Sequence, residues 1–318
     1  MQTLKARLSA QGYLQHPSRG GSGNPGYYAA ATADAITRFQ ADFSLTQDGR
    51  AGRATIQALN RQPADLLATL RANLERLRWP FNQPVDRGLV VDIASAEATL
   101  YDKGKAVWHN RVQVGKPGRE TPELRSLITH FTLYPAWNIP KSIFVIDMLP
   151  RIMSDPGYLQ RRNIRVLDHS GNELPPEPAY WPSPASMRLQ QQPGPSNPLG
   201  SIAIRFSNPF EVYLHDTPAG ELFSSPERFY SNGCVRVEDV ESLAGTLFGL
   251  HSWRTEKPFD ERFANSETRN VRLPRSVPIL MTYRTAINSE ESAMRFRSDR
   301  YRRDRYLISL LDRQEPAR

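Results

Sequence analysis

Apolar residues change their spacing along this chain. Over the first sixty positions the spacing is helical. Leu4 and Leu8 lead to a Gly12-Tyr13-Leu14 ending, and Ala35, Ile36, Phe39 and Phe43 mark a second helix after a loop at Gly20 to Gly26. Asp48-Gly49 predicts a turn before Ile56 and Leu59. Leu66, Leu67, Leu70, Leu74 and Leu77 then form an apolar stripe on a connecting helix from Pro63 to Trp79. From Leu89 the period falls to two. Leu100-Tyr101, the Lys103-Gly104 turn and Val107-Trp108 predict a hairpin that runs on through Arg111 to Val114. Ile202, Ile204 and Phe206 alternate with Ala203 and Arg205, and Ile279, Met281 and Tyr283 repeat the pattern. Helices first and strands afterwards predict an α+β protein, a small N-terminal helical bundle followed by a mainly β domain. The expected segments are 1–62 (helical bundle), 63–86 (connecting helix), 87–288 (β domain) and 289–318 (helical tail).

An insertion at about 141–195 interrupts the β pattern. Ile143, Ile146, Met148 and Ile152 predict helix in its first half. Prolines crowd the stretch from Pro175 to Pro198 and discourage both helix and ladder there. Long irregular insertions in compact domains are uncommon and tend to be functional.

Composition narrows the partners without choosing one. Lys and Arg number 41 against 33 Asp and Glu, a formal charge of +8, which suits nucleic acid, anionic membranes or acidic polymers alike. The arginines between Arg295 and Arg305 are interrupted by aspartate and tyrosine. They read as a solvated helix face, so no nucleic-acid partner is expected. No apolar run reaches transmembrane length, and the start at Met1 has no signal-peptide core. His109, His130, His169 and His251 show no metal-ligand spacing, so neither metal nor cofactor is expected. A single cysteine excludes an internal disulfide.

That cysteine carries the candidate chemistry. Glu211 to His215 reads as a strand with Val212 and Leu214 on one face and Tyr213 and His215 on the other, opening into a groove. Ser231-Asn232-Gly233-Cys234-Val235-Arg236 follows. A thiol becomes a nucleophile as thiolate, and a nearby histidine can take its proton and return it to an amine. Gly233 lets the backbone approach a substrate and offers its N–H, with that of Cys234, to an oxyanion. Val240, Leu243, Ala244, Leu247 and Phe248 predict a helix beyond the cysteine. Its N-terminus would lower the thiol pKa, with Glu238 and Asp239 opposing. The competing reading is a buried, inert cysteine.

His215-Asp-Thr-Pro followed by Ser231-Asn-Gly-Cys-Val-Arg236, 19 positions from histidine to cysteine, resembles the signature of L,D-transpeptidases with a YkuD-type catalytic domain, particularly the YcbB-like branch. Val112–Pro117, Tyr134–Pro140, Gln192–Pro198 and Val277–Thr285 extend the resemblance, which covers about residue 63 to the C-terminus. Asn232 departs from the histidine or serine of many relatives. Phe39-Gln40, Asp48-Gly49-Arg50, Gly52 and Thr55 resemble a three-helix peptidoglycan-binding domain; a helical spacer without ligand is the alternative.

The resemblance implies a cysteine acyltransferase on peptidoglycan stem peptides. Cys234 would be the nucleophile and His215 the base, with a backbone carbonyl orienting His215 while the Asp216 side chain points away. The insertion would be a lid over the cleft. Tyr213, Ser231 and Asn232 would meet the substrate, and Trp137 and Tyr134 would line the cleft or simply lie in the core. Arg236 would bind a stem carboxylate or else pair with Glu238 or Asp239. Water as acceptor would instead make an L,D-carboxypeptidase, and a disused catalytic fold would leave only wall binding. Acylation of Cys234 by carbapenems is also implied. Other cell-wall synthesis proteins are a further partner class, the location would be periplasmic or wall-associated, and the export signal would lie outside this chain.

Overall fold

The computed structural model describes residues 2–14, 30–79, 82–83, 85–177, 181, 187–250, 267–288 and 294–314. The loop expected at Gly20 to Gly26, and His251 among the histidines, lie outside them. The chain divides into two compact units. The first combines Met1–Pro84, Asp92–Ala96 and Met281–Arg318, and the second combines Val85–Val91 and Glu97–Leu280.

The first unit begins with α1 (Gln2–Ala10), α2 (Ala30–Asp42), α3 (Arg53–Leu59) and α4 (Pro63–Arg78). Gly12, at φ +81°, ends the first helical segment as its sequence predicts. Leu8, Ala35, Ile36, Phe39, Phe43 and Leu59 form the core of this unit. Gln40 is buried beneath the Asp48-Gly49 turn, where its Nε2 donates to Asp48 (2.8 Å) and its Oε1 accepts the Gly49 N–H (2.9 Å).

Helix α4 departs from its expected orientation. Leu66 and Leu70 pack on the core. Leu67 and Leu74, however, are 62% and 63% exposed, and the buried positions are Thr69, Ala72, Asn73 and Arg76. The reason is a polar network of Asn73, Arg76, Thr285 and Asp304 that claims this face.

The second unit continues with β1 (Gly88–Asp92), β2 (Glu97–Asp102), β3 (Lys105–Gly115) and β4 (Leu124–Leu133). The β2–β3 hairpin turns at Lys103 and Gly104, both at positive φ, with Asp102 opposite Lys105. Next come β5 (Trp137–Asn138), α5 (Lys141–Ile143), a π-helical segment Phe144–Met148, α6 (Leu149–Ser154), α7 (Tyr158–Arg161), β6 (Ile164–Leu167), β7 (Glu173–Leu174) and β8 (Arg188–Gln191). The insertion is thus a small folded body. Helix occupies its first half as expected, but the second half contributes β7 and β8 to a four-stranded sheet ordered β5-β8-β6-β7. Ile139, Phe144, Met148, Ile152, Leu159 and Leu189 belong to its own apolar core. Prolines flank those strands without interrupting them, which is why the ladder survives.

The chain then returns through β9 (Ile202–Phe206), β10 (Leu214–His215), β11 (Phe229–Ser231), β12 (Val235–Val237), α8 (Val240–Gly249) and β13 (Arg269–Thr282). The main sheet has nine strands in the order β11-β3-β12-β10-β9-β4-β13-β1-β2. Strand β9 is central, and both its faces are buried along Ile202, Ala203 and Ile204. Leu243, Ala244 and Leu247 of α8 are fully buried, as their spacing predicts.

The chain ends with β14 (Ala286–Ile287), β15 (Arg295–Phe296) and α9 (Arg303–Gln314), all in the first unit. Phe296 joins the N-terminal core by stacking on Phe43 at 5.7 Å. The expected solvated arginine face forms only in part, and Arg300 is among its exposed members. Arg297 is buried against Asp92, and Arg303 lies 5.0 Å over the Tyr301 ring, while Arg302 and Arg305 remain exposed. Arg76 of α4, 2% exposed, donates to Asp304 at 2.5 Å. Asp304 also accepts from Thr285 (2.7 Å), which is bonded in turn to Asn73.

Candidate active site

The site is built on the central edge of β9, β10 and β12. Strand β10 pairs antiparallel with β9 and parallel with β12, setting Leu214 opposite Val235 and His215 opposite Arg236. The Val235 N–H donates to the Tyr213 carbonyl at 3.1 Å, which carries the pairing back to the level of Cys234. Side-chain alternation then puts Tyr213, His215, Cys234 and Arg236 on one face, while Val212, Leu214 and Val235 are buried on the other. The expected strand from Glu211 is shorter than its pattern. Asn208 uses its side chain to accept the Phe210 and Val212 N–H groups (both 3.1 Å), and Glu211 sits at φ +55°, so pairing begins only at Leu214.

His215 is 4% exposed, and so does not open into a groove as expected. Its Nδ1 donates to the Asp216 carbonyl at 2.5 Å, because a carbonyl can only accept. The Asp216 carboxylate turns away to Ser201, accepting from its N–H (2.8 Å) and hydroxyl (3.0 Å). Burial first, and the Arg236 charge second, push the imidazole pKa down to about 3, and the Asp216 and Pro198 carbonyls only partly oppose this. A neutral ring protonated on Nδ1 leaves the Nε2 lone pair as the basic position.

Burial also raises the Cys234 thiol above its usual value, while the Tyr213 backbone N–H, Arg205 and Arg236 pull it down. The expected help from a helix N-terminus is missing, because β12 separates Cys234 from α8 and Asp239 caps that helix through Ser242. The resting pair is therefore neutral thiol and neutral imidazole. The alkylation rate of Cys234 by iodoacetamide should rise about tenfold per pH unit from about pH 5 to 8. A preformed thiolate–imidazolium pair would give a plateau instead. The folded His215 pKa lies below the unfolded value of about 6.5, so the unfolded chain binds the extra proton between the two. Stability should fall as pH drops from about 6.5 towards 3, which acid titration of the folded fraction checks.

The cysteine turn is braced from within. Ser231 Oγ donates to the Cys234 carbonyl (2.5 Å) and accepts the Gly233 N–H (3.1 Å). This corrects two expectations. Ser231 is buried as a strut, not presented to a substrate, and the Gly233 N–H is already engaged. The Cys234 N–H has no partner among the described residues and remains a candidate oxyanion donor. Gly233 matters for its backbone: it stands at φ +121°, and its carbonyl accepts from Thr121 at 2.8 Å. An added Cβ would meet nothing closer than the Glu120 carbonyl oxygen at 3.6 Å, so strain and not crowding is what glycine relieves. Gly233→Ala should destabilise the protein by about 1–3 kcal/mol, measured by denaturant titration, with slower Cys234 alkylation as the turn shifts.

Arg236 pairs with neither Glu238 nor Asp239. It donates to Gln113 at 3.1 Å, its cross-strand neighbour, while Glu238 is taken by Arg111. The Arg236 Nε is buried without a hydrogen-bond partner. Asn232 is exposed and accepts from Arg119 at 2.9 Å. Trp137 lines a cleft of about 280 Å³ that Asn232 also borders, whereas Tyr134 is not part of its wall.

Sequence reasoning passed over Arg205, whose guanidinium lies 4.0 Å over the Tyr213 ring, itself 5.7 Å from His215. A lone charge in the apolar run Ile202–Phe206 was the available signal. Among the described residues no group of three or more His, Cys, Asp or Glu is placed to hold a metal ion. No helix among them is long and apolar enough to cross a membrane.

Residues 86–247 match the L,D-transpeptidase catalytic domain, YkuD, and residues 1–59 match a "Putative peptidoglycan binding domain". A curated "Putative L,D-transpeptidase" of Haemophilus influenzae is 31% identical over 251 residues, which cover 76% of this chain and 50% of that protein. The chain thus spans about half the length of the curated relative it matches. A crystal structure of an L,D-transpeptidase (Yku) from Stackebrandtia nassauensis aligns over 88% of this chain and 89% of its own at 13% identity and a TM-score of 0.29. An L,D-transpeptidase from Mycobacterium smegmatis covers 61% of this chain and 57% of its own at 16% identity and a TM-score of 0.26. The matched catalytic segment takes in half of the chain and both His215 and Cys234, and on that match the chain belongs to the YkuD family of L,D-transpeptidase catalytic domains.

Proposed function

We propose that the chain is a peptidoglycan L,D-transpeptidase of the YcbB-like branch, acting through Cys234. The observation that carries this reading is the pairing of β10 with β12, which sets His215, its Nδ1 bonded to the Asp216 carbonyl, on the same face as the lone cysteine immediately before β12. His215 Nε2 takes the Cys234 proton, and the thiolate attacks the carbonyl between diaminopimelate and D-alanine of a tetrapeptide stem. The Cys234 N–H holds the oxyanion, and His215 returns the proton to the departing D-alanine amine. An amine of a second stem then attacks the thioester, forming a cross-link and releasing the thiol. Arg236, half-buried, with an Nε that has no hydrogen-bond partner and no carboxylate partner among the described residues, is suited to a stem carboxylate. Tyr213, Asn232 and Trp137 would meet the stem, and the insertion would serve as the lid. The 19-residue spacing and the folded insertion support the branch.

The N-terminal helices would bind the wall polymer, placing the protein in the periplasm or at the wall. Carbapenems would acylate Cys234. Product analysis on purified disaccharide-tetrapeptide tests the choice of acceptor: a cross-linked dimer with loss of D-alanine supports transpeptidation, and tripeptide alone would make the protein an L,D-carboxypeptidase.

A further inference from the structure

The cleft beneath the insertion is charged in a way the dyad does not use. Lys116 lies just beyond β3, Arg151 in α6 and Arg162 just beyond α7, and all three line it and are exposed. None of the three makes an ion pair among the described residues. Asp147 is the acidic member of the wall, and Arg119 binds it at 2.5 Å while the same nitrogen donates to Asn232. Its carboxylate pKa is held down mainly by that hydrogen bond, with Lys116 and Arg151 adding to it. The one anion is thus compensated by a guanidinium outside the wall, and the cleft keeps a cationic excess. Trp137 and Tyr158 supply flat apolar surface between the charges. The cleft also reaches both halves of the dyad's support. Asn232 stands two residues before Cys234, and Pro198 supplies a carbonyl that acts on His215.

We infer that this cleft is a carboxylate-binding subsite, in which Lys116 and Arg151, with Arg162 at its edge, hold free carboxylates of a peptidoglycan stem against Trp137 and Tyr158. The inference rests on the stem-peptide reading above and deepens it by naming the feature recognised: the ionised carboxylate, as opposed to its amide. Charge-assisted hydrogen bonds from Lys or Arg to a carboxylate are about twice as strong as neutral ones, and an amide cannot replace both the charge and the second acceptor oxygen. The carboxylate could belong to the donor stem or to the acceptor stem, and the chemistry at the cleft is the same for both.

Binding to the Cys234→Ala protein separates the subsite from turnover. Calorimetric titration with disaccharide-tetrapeptide, and with the same compound carrying amidated side carboxyls, should show the amidated form binding about tenfold more weakly. In a K116Q/R151Q background that ratio should collapse towards one, through weaker binding of the free carboxylate form. Equal affinity of the two forms for the Cys234→Ala protein, no binding of either, or an unchanged ratio in the double variant would overturn the subsite. Iodoacetamide labelling of Cys234 in K116Q/R151Q at the rate of the unsubstituted protein shows that the site is intact. With Cys234 present, slower adduct formation in K116Q/R151Q assigns the carboxylate to the donor, and slower release of the adduct by an added stem assigns it to the acceptor. Failure of the protein with native Cys234 to form any adduct would strike the transpeptidase reading itself, independently of the binding ratio.

Discussion

Alanine at position 234 should leave a folded protein that forms no covalent adduct with a tetrapeptide stem, and alanine at 215 should slow adduct formation by about 10²–10⁴-fold. The two losses differ because the groups have different work. Without the thiol there is no atom to form the thioester. Without the imidazole the thiol survives, but burial holds it protonated above the usual thiol range, and nothing adjacent takes its proton. Raising the pH should therefore partly restore His215→Ala by generating thiolate directly, and should do nothing for Cys234→Ala. Single-turnover mass measurements across pH read both effects. Equal loss at all pH values in His215→Ala would mean that the ring only shapes the site.

Removing the guanidinium of Arg76 should cost about 3–5 kcal/mol, because Asp304 would be left charged and buried without its cation. The Arg76 side chain lies 5.4 Å over the Tyr283 ring, and Thr285 and Asn73 tie the same carboxylate and backbone into α4. Truncation thus also removes packing on the aromatic pair Tyr283–Tyr301. The double substitution R76L/D304L should recover most of the loss, since a well-packed apolar pair avoids the desolvation of two ions. Urea denaturation followed by amide exchange in α4 and α9 measures both. A loss under 1 kcal/mol for Arg76→Ala would show the pair to be solvated and nearly neutral in stability.

The candidate catalytic face was legible in the sequence because alternation is a local property. Val212 and Leu214 against Tyr213 and His215 fixes which side faces the cysteine, and the Asp216 side chain then has to point away. The start of the strand was not legible, since it depends on Asn208 capping the loop with its amide. The turn at Ser231-Asn-Gly-Cys concealed its own hydrogen bonds in the same way. Gly233 was recognisable as a special position, but the capture of its N–H by Ser231 is a matter of geometry across two residues.

Long-range pairing accounts for the larger departures. The leucines of α4 predict an apolar buried face, yet Asp304, 228 positions away, draws Arg76 inward and turns Leu67 and Leu74 out. The arginines after Arg295 read as a solvated face until Asp92 and Tyr301 supply partners for Arg297 and Arg303. Proline density suggested disorder of pattern in the insertion. Strands β7 and β8 fall in the gaps between prolines, and the core of the insertion draws on Ile139 and Leu189, 50 residues apart.

The role of Cys234 is tested most directly by the intact mass of the protein after brief exposure to disaccharide-tetrapeptide, followed by peptide mapping. The expected result is an added mass equal to the substrate less D-alanine, carried by the peptide containing Cys234 and absent from Cys234→Ala. A substrate-derived adduct on another residue, or release of D-alanine by the Cys234→Ala protein, would contradict it.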